Sequence, residues 1–309
     1  MLKVKFYVKK IIEVIKILLF RSFRHKIKAR KCIDSLLEGQ VIIDVGASYY
    51  PHLKWDVFVN NLKTNWIAID PNSHNLLYCD NWLYKSQITK LPSAVSGEGG
   101  SQTLYITNVD SGSSLLKPVM NSNSKHRVSH SYFFPLKESL IDTVSLNSII
   151  EKHVFNKPFA LKIDIQGSEF DIIKNISNHN LKNNLLGVEV ENSMQANPVM
   201  SGTTSFDVVY DFFISNKFEL AFIKPIPSVN RTTNKNIKSK YVLNECDLVF
   251  LLRFDEIIKR DLNQCFMMLG LYYSYDLFSE ILALAEVISS RDLNPNQSNY
   301  INNLIKLLK

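Results

Sequence analysis

Val41-Ile42-Ile43-Asp44-Val45-Gly46 is a short apolar run that closes on an acid and a glycine. A run of that length without polar alternation suits a strand buried on both faces and followed by a tight turn, as in a parallel sheet. The pattern returns in Trp66-Ile67-Ala68-Ile69-Asp70, closed by Pro71, in Phe159-Ala160-Leu161-Lys162-Ile163-Asp164, and from Leu185 to Val190. A weaker third strand is read around Pro92-Ser93-Ala94-Val95, and the Gly97-Glu98-Gly99-Gly100 turn leads into a hairpin strand over Thr103 to Thr107. Thr143 to Leu146 reads as a short strand before a helix over Asn147 to Lys152, and a helix starts near Ser168. Phe218 to Ile223 and Leu248 to Leu252 complete the set. Strands alternating with helices at this spacing predict an α/β, Rossmann-like fold with a mostly parallel sheet.

Outward from that core the composition changes at both ends. The whole chain of 309 residues has a formal charge of +7, but residues 1–31 hold eleven Lys and Arg against Glu13 alone. The rest carries 25 bases against 28 acids, so the body is mildly acidic. A catalytic face for nucleic acid needs bases around the site itself, and no nucleic-acid partner is expected. In the arm Val4, Val8, Ile11, Ile15 and Leu18 share one helical face. Its apolar stretch, broken by Glu13 and Lys16, is far short of the roughly 20 residues of a membrane span, and no cleavage site follows it. Two roles stay open: a helix packed on the domain, or peripheral contact of residues 1–31 with an anionic membrane surface. Cys32, Cys79, Cys246 and Cys265 form no CxxC pair, which points to free thiols in a reducing cytoplasm, at most peripheral to the inner face of a membrane.

The expected organisation is therefore a basic amphipathic arm over 1–34, an α/β domain over 35–253 and a helical extension over 254–309. The extension reads as helices over Asp255 to Met268, Ser274 to Ser289 and Asn299 to Leu308, suited to packing on the sheet, to a lid or to dimerisation; the oligomeric state is not specified. Residues 108–135 have no clear period, and a loop of that length in a compact domain is usually functional.

Ligands of open α/β sheets bind beyond the carboxyl ends of the strands. Asp44, Asp70 and Asp164 stand at three such ends, with Glu189 and Glu191 at the end of a fourth. Acids there are costly unless they meet donors, so their recurrence is informative. Gly46 lets the backbone pass close to a ligand, and Asp70 is placed to accept bonds from a ribose diol. The glycines of a GxGxxG turn are missing, since Ser48 and Tyr49 follow Gly46, and there is no GxxxxGK[ST] loop. A ligand with a ribose and no pyrophosphate fits better than a nicotinamide dinucleotide, and S-adenosylmethionine is the common one.

Several blocks in order give the chain a resemblance to the FkbM-type methyltransferases. They are Ile42 to Ser48, Ala68-Ile69-Asp70-Pro71-Asn72, Ala94-Val95-Ser96 and Ser113-Ser114-Leu115-Leu116, followed by Ile141 to Leu146. Leu161-Lys162-Ile163-Asp164-Ile165-Gln166-Gly167-Ser168-Glu169, Val188-Glu189-Val190-Glu191 and Cys246-Asp247-Leu248-Val249-Phe250 complete them. The resemblance implies a class I methyltransferase sheet, S-adenosylmethionine as donor and O-methylation of a sugar, glycan or secondary-metabolite hydroxyl. Carried over, Asp44, Gly46, Ala47 and Ser48 line the methionine end, Asp70 and Pro71 the ribose, and Ser96 or its neighbours the adenine. Asp164 faces the transferred methyl and is the first candidate base, Glu189 the second and His52 the third. Lys162 shares a face with Asp164, and Glu169 can serve simply as an acid at a helix start. No metal is expected, although Asp164 with Glu189 or Glu191 has the chemistry to hold Mg²⁺. Where many members continue with another glycine, this chain has Tyr49-Tyr50-Pro51-His52, side chains that narrow the cofactor pocket or wall the acceptor side. That departure supports an alternative, a methyltransferase fold kept as a non-catalytic binding or scaffold protein.

Overall fold

The computed structural model describes residues 25–49, 53–80, 84–119, 133–194, 198–227 and 243–309. Residues 1–24 of the basic arm, Tyr50, Pro51 and His52, and residues 120–132 of the 108–135 loop lie outside the described residues. Residues 25–36 form helix α1, whose Ala29, Ile33 and Leu36 are buried and whose Arg30 reaches Asp56 Oδ2 at 2.5 Å. The described end of the arm packs on the domain.

The chain then runs through β1 (Val41–Val45), α2 (Asp56–Val59), β2 (Asn65–Ile69), β3 (Gln87–Leu91), β4 (Ala94–Ser96), β5 (Gly100–Thr107), β6 (Pro135–Ser145) and α3 (Leu146–His153). It continues with β7 (Phe159–Ile163), α4 (Glu169–Lys174), α5 (Asn178–Asn183), β8 (Leu185–Ser193), α6 (Phe206–Ser215), β9 (Phe218–Pro227) and β10 (Leu243–Leu252). Four helices close it: α7 (Phe254–Ile257), α8 (Leu262–Ser274), α9 (Phe278–Ser289) and α10 (Pro295–Leu308).

Seven strands make one sheet in the order β3-β2-β1-β7-β8-β10-β9. The first five run parallel and β10 is antiparallel to both β8 and β9. Every residue of β1 is buried, as its unbroken apolar run demands. The strand order reverses between β1 and β7, which opens a crevice beyond their carboxyl ends. This is a Rossmann-like arrangement. A smaller sheet, β4-β6-β5, stands over that crevice.

Several boundaries differ from the sequence expectation for identifiable reasons. The third parallel strand is Gln87–Leu91, not the segment around Pro92 to Val95. It is an edge strand, so it carries Gln87, Thr89 and Lys90 and gives little apolar signal; the buried Ala94–Ser96 belongs to the small sheet. β6 is eleven residues long because most of its first part is exposed and polar. The single helix expected over Asp255 to Met268 is two, since Asp261 accepts a bond from Gln264 N at 2.8 Å and starts α8 afresh. α10 begins earlier than Asn299, at Pro295, behind a capping box of Asn294 and Gln297.

α8 is buried from Gln264 to Ser274 and joins the same core as β1, β7 and β8. All four cysteines are free and buried. Among the described residues no helix is long and apolar enough to cross a membrane.

Candidate functional site

A cavity of about 900 Å³ lies at the carboxyl ends of β1, β2, β7 and β8, a volume within the range of small-molecule sites. The small sheet forms its apolar wall with Ala94 and Val95 of β4, Leu104 and Ile106 of β5 and Ile141 of β6. Its far end carries Glu189, Glu191, Lys224 and Asp247.

Gly46 is the joint of the site. Its φ is +79°, a conformation in which L side chains are strained, and its amide donates to Ile69 O at 2.9 Å. A Cβ there would sit 1.9 Å from Asp164 O, so the turn and the end of β7 touch only because no side chain intervenes. Ala47 donates to the same Ile69 carbonyl at 3.0 Å and is buried away from the cavity lining, so it shapes the turn. Asp44 likewise lies beneath the lining: 3% exposed, it sits 3.6 Å from Lys162 Nζ.

Lys162 links this layer to the cavity floor. Its Nζ is 3.4 Å from Asp164 Oδ2 and 3.4 Å from Gly46 O. Burial works against the ammonium, but Asp164 and then Asp44 outweigh it and hold its pKa above the ordinary lysine value. Asp164 opens to the cavity, its side chain 37% exposed. Gln166 Nε2 donates to Asp164 Oδ1 and to Glu191 Oε2, both at 3.0 Å. That reach requires Gln166 to adopt φ +64°, and Ser114 Oγ pins it by donating to its carbonyl at 2.8 Å.

The two bridged carboxylates are driven apart. For Asp164 burial favours the acid form, but Lys162 together with bonds from Glu191, Lys162 and Gln166 brings its pKa below the usual value. For Glu191 burial and then repulsion from Asp164, Glu245 and Glu169 raise it well above. Of the pair, Glu191 is therefore the one that holds a proton more readily and Asp164 the one that gives it up. Glu169 accepts from Ile165 N at 3.0 Å and Gly167 N at 2.9 Å, so it braces the loop after β7 as well as standing at a helix start. Burial pushes its carboxyl up to about 7 against those bonds.

At the opposite end Asp70 is buried behind β2. Its Oδ1 accepts from Asn72 N at 2.8 Å and Asn75 Nδ2 at 3.1 Å, which leaves Oδ2 for the cavity it lines with Pro71. Burial, the largest influence, raises its pKa. Ser48 also lines the cavity, and its Oγ is buried with no hydrogen-bond partner among the described residues. Ser96 does not line it: its hydroxyl is 2.7 Å from Thr143 Oγ1 and accepts from Gly99 N at 3.0 Å, which ties β4 to β6. Its neighbours Ser93, Ala94 and Val95 are the ones that face the cavity.

Glu189 and Glu191 lie within β8 rather than at its end, two residues apart and on one face. Glu189 is 4% exposed and accepts from Tyr275 Oη, which in turn accepts from Trp55 Nε1 at 2.6 Å. Sequence reasoning missed Tyr275 and Trp55, which lie 86 and 220 residues from their partners, and gave Gln166 no role. It also missed Lys224, which meets Asp247 at 2.5 Å; both stand at paired positions of β9 and β10, a signal available once that pairing is known. Tyr49 is described and His52 is not. Among the described residues no group of three or more His, Cys, Asp and Glu is arranged to hold a metal ion.

A family model described as the methyltransferase FkbM domain matches residues 44–220, more than half of the chain. No curated protein is matched. Among solved structures, one similar chain is a Pyrococcus horikoshii protein assigned as an RNA methyltransferase. It is 9% identical, with 72% of this chain and 81% of that one covered and a TM-score of 0.27, a likeness too loose to carry any argument.

Proposed function

The chain belongs to the FkbM methyltransferase family, and from that premise we propose that it moves a methyl group from S-adenosylmethionine to a hydroxyl of a small molecule or glycan. The observation that carries this reading is Asp164, held by Lys162 and Gln166 and open to the same cavity that Gly46, Ser48 and Asp70 line.

The residues fit the donor. Asp70 Oδ2 suits a ribose diol, the unpartnered Ser48 hydroxyl suits the amino-acid end, and the wall of Ala94, Val95, Leu104, Ile106 and Ile141 suits an adenine. A dinucleotide fits less well, because the turn after Gly46 lacks the further glycines that admit a pyrophosphate. Bound there, S-adenosylmethionine supplies an electrophilic methyl on a sulfonium, displaced in line.

The chain's own part is alignment and proton removal. Asp164 takes the proton of the acceptor hydroxyl. Lys162 favours the ionised form of Asp164, while burial and the neighbouring Asp164 favour the neutral form of Glu191. Glu189, oriented by Tyr275, accepts a bond from a neighbouring acceptor hydroxyl. Four buried free cysteines fit a reducing compartment, and we read the protein as cytoplasmic; the described end of the basic arm packs on the domain, and contact of the arm's basic side chains within residues 1–31 with an anionic membrane surface is the second reading.

Calorimetric titration with S-adenosylmethionine, and separately with NAD, tests the donor: micromolar binding of the first alone is expected. A screen over sugars and glycolipids then tests the acceptor. In Asp164→Asn turnover should fall by about 10²- to 10⁴-fold, the usual worth of a general base, with donor affinity kept. Undiminished turnover removes Asp164 from the role.

A further inference from the structure

Besides the bond from Gly97 N to Asp171 Oδ2 at 3.1 Å behind β4, two fastenings of the small sheet to the main body stand at the cavity itself. Near the cavity floor Ser114 Oγ donates to Gln166 O at 2.8 Å, and Pro118 bridges to Met200. At the nucleoside end the fastening is Asp110, in the turn after β5. Its Oδ2 accepts from Asn72 Nδ2 at 3.0 Å and from Tyr49 Oη at 3.4 Å. These are three separate loops, and all three residues line the cavity. Asn72 works in both directions, because its backbone amide orients Asp70 while its side chain holds Asp110.

The two sides differ in stiffness. The Asp110 turn is mounted firmly on its own sheet: Tyr105 and Ser114 exchange backbone bonds at 2.8 and 3.2 Å, and Thr107 Oγ1 donates to Val109 O at 2.7 Å. Its link to the main body is a pair of exposed contacts, one of them long. Tyr49 makes its contact from φ +65°, a left-handed conformation that a tyrosine adopts only under strain. An outlier held at the mouth of a ligand cavity points to a task for that side chain.

We propose that Asp110, through Tyr49 and Asn72, latches the small sheet across the nucleoside end of the cavity and so governs how fast S-adenosylmethionine enters and leaves. The proposal rests on the donor reading above. A latch must open for passage in either direction, so weakening it speeds both directions together. A side chain that merely touched the ligand would speed departure alone.

The test measures association and dissociation of S-adenosylmethionine by surface plasmon resonance on the full chain and on Tyr49→Phe and Asp110→Ala. Each variant should raise both rate constants about fivefold, the order of one exposed hydrogen bond to a charged group, while the Kd moves less than about twofold. A rise in dissociation alone, or in neither, overturns the latch. Amide hydrogen exchange of the ligand-free protein judges it independently of the donor. Both variants should speed exchange across residues 108–114 and leave residues 164–169 unchanged, and unaltered exchange at 108–114 also overturns it. If the wild type binds no S-adenosylmethionine while exchange at 108–114 responds as expected, the donor reading fails and the latch stands as a gate for another ligand.

Discussion

Around Asp164 each carboxylate is answered at short range by a cation or an amide: Lys162 lies between Asp44 and Asp164, and Gln166 between Asp164 and Glu191. Around Asp70, two strands along the sheet with β1 between, the cavity is closed by exposed side chains on three loops and by contacts out to 3.4 Å. The first arrangement suits chemistry, where groups must stand in place before the reaction because reorganising them during it is costly. The second suits a ligand that has to exchange on every turnover, since loops with few buried contacts open at low free-energy cost. Gly46 joins the two, with its amide on Ile69 and its α-carbon against Asp164.

Breaking that joint should have the largest effect. Gly46→Ala puts a methyl 1.9 Å from a backbone oxygen in a left-handed conformation, and urea denaturation should register a loss on the order of 4 kcal/mol or more. Next is Lys162→Met, which strips the cation from the buried Asp44 and from Asp164. A destabilisation of roughly 3 kcal/mol is expected from breaking a buried pair on one side, and a change within error would show that the carboxylates are satisfied without it.

The pH dependence of stability sharpens the contrast, because the raised carboxyls belong mostly to the Asp164 end. Glu169 titrates at about 7 in the folded chain against 4.5 ordinarily. The folded state therefore binds the extra proton in that window, so the stability from Glu169 is full below about 4.5 and is lost as the pH rises through about 7. Glu169→Gln should remove a decline on the order of 2 kcal/mol between pH 5 and 8, measured as midpoint shifts in urea; an identical slope in both proteins would assign the decline elsewhere. Tyr275→Phe is the mildest of the four. It deletes only the hydroxyl between Trp55 and Glu189 and should cost about 1 to 2 kcal/mol, whereas Tyr49→Phe at the other end should leave the midpoint where it was.

Much of the Asp164 end was legible in sequence because its members are neighbours there: Lys162, Asp164, Gln166 and Glu169 fall within one block. Gln166 was quoted without a role because its reach to Glu191 depends on a left-handed backbone that no residue pattern announces. Tyr275 was invisible, since its partner Glu189 is 86 residues away. Ser96 was misplaced because Ala94-Val95-Ser96 looks like a strand of the main sheet, and only the pairing of β4 with β6 turns its hydroxyl toward Thr143.

The sequence by itself determined the sheet, since runs such as Val41 to Val45 and Phe159 to Ile163 are apolar on both faces and stable only when covered on both. It also determined that acids end the strands, because chain order alone puts Asp44, Asp70 and Asp164 there. Only the tertiary structure decided which of these acids is paired beneath the floor, which opens to the cavity, and which loops close over it. Those outcomes depend on burial and on partners distant in sequence, and an acid's charge state follows from its surroundings rather than from its place in the chain.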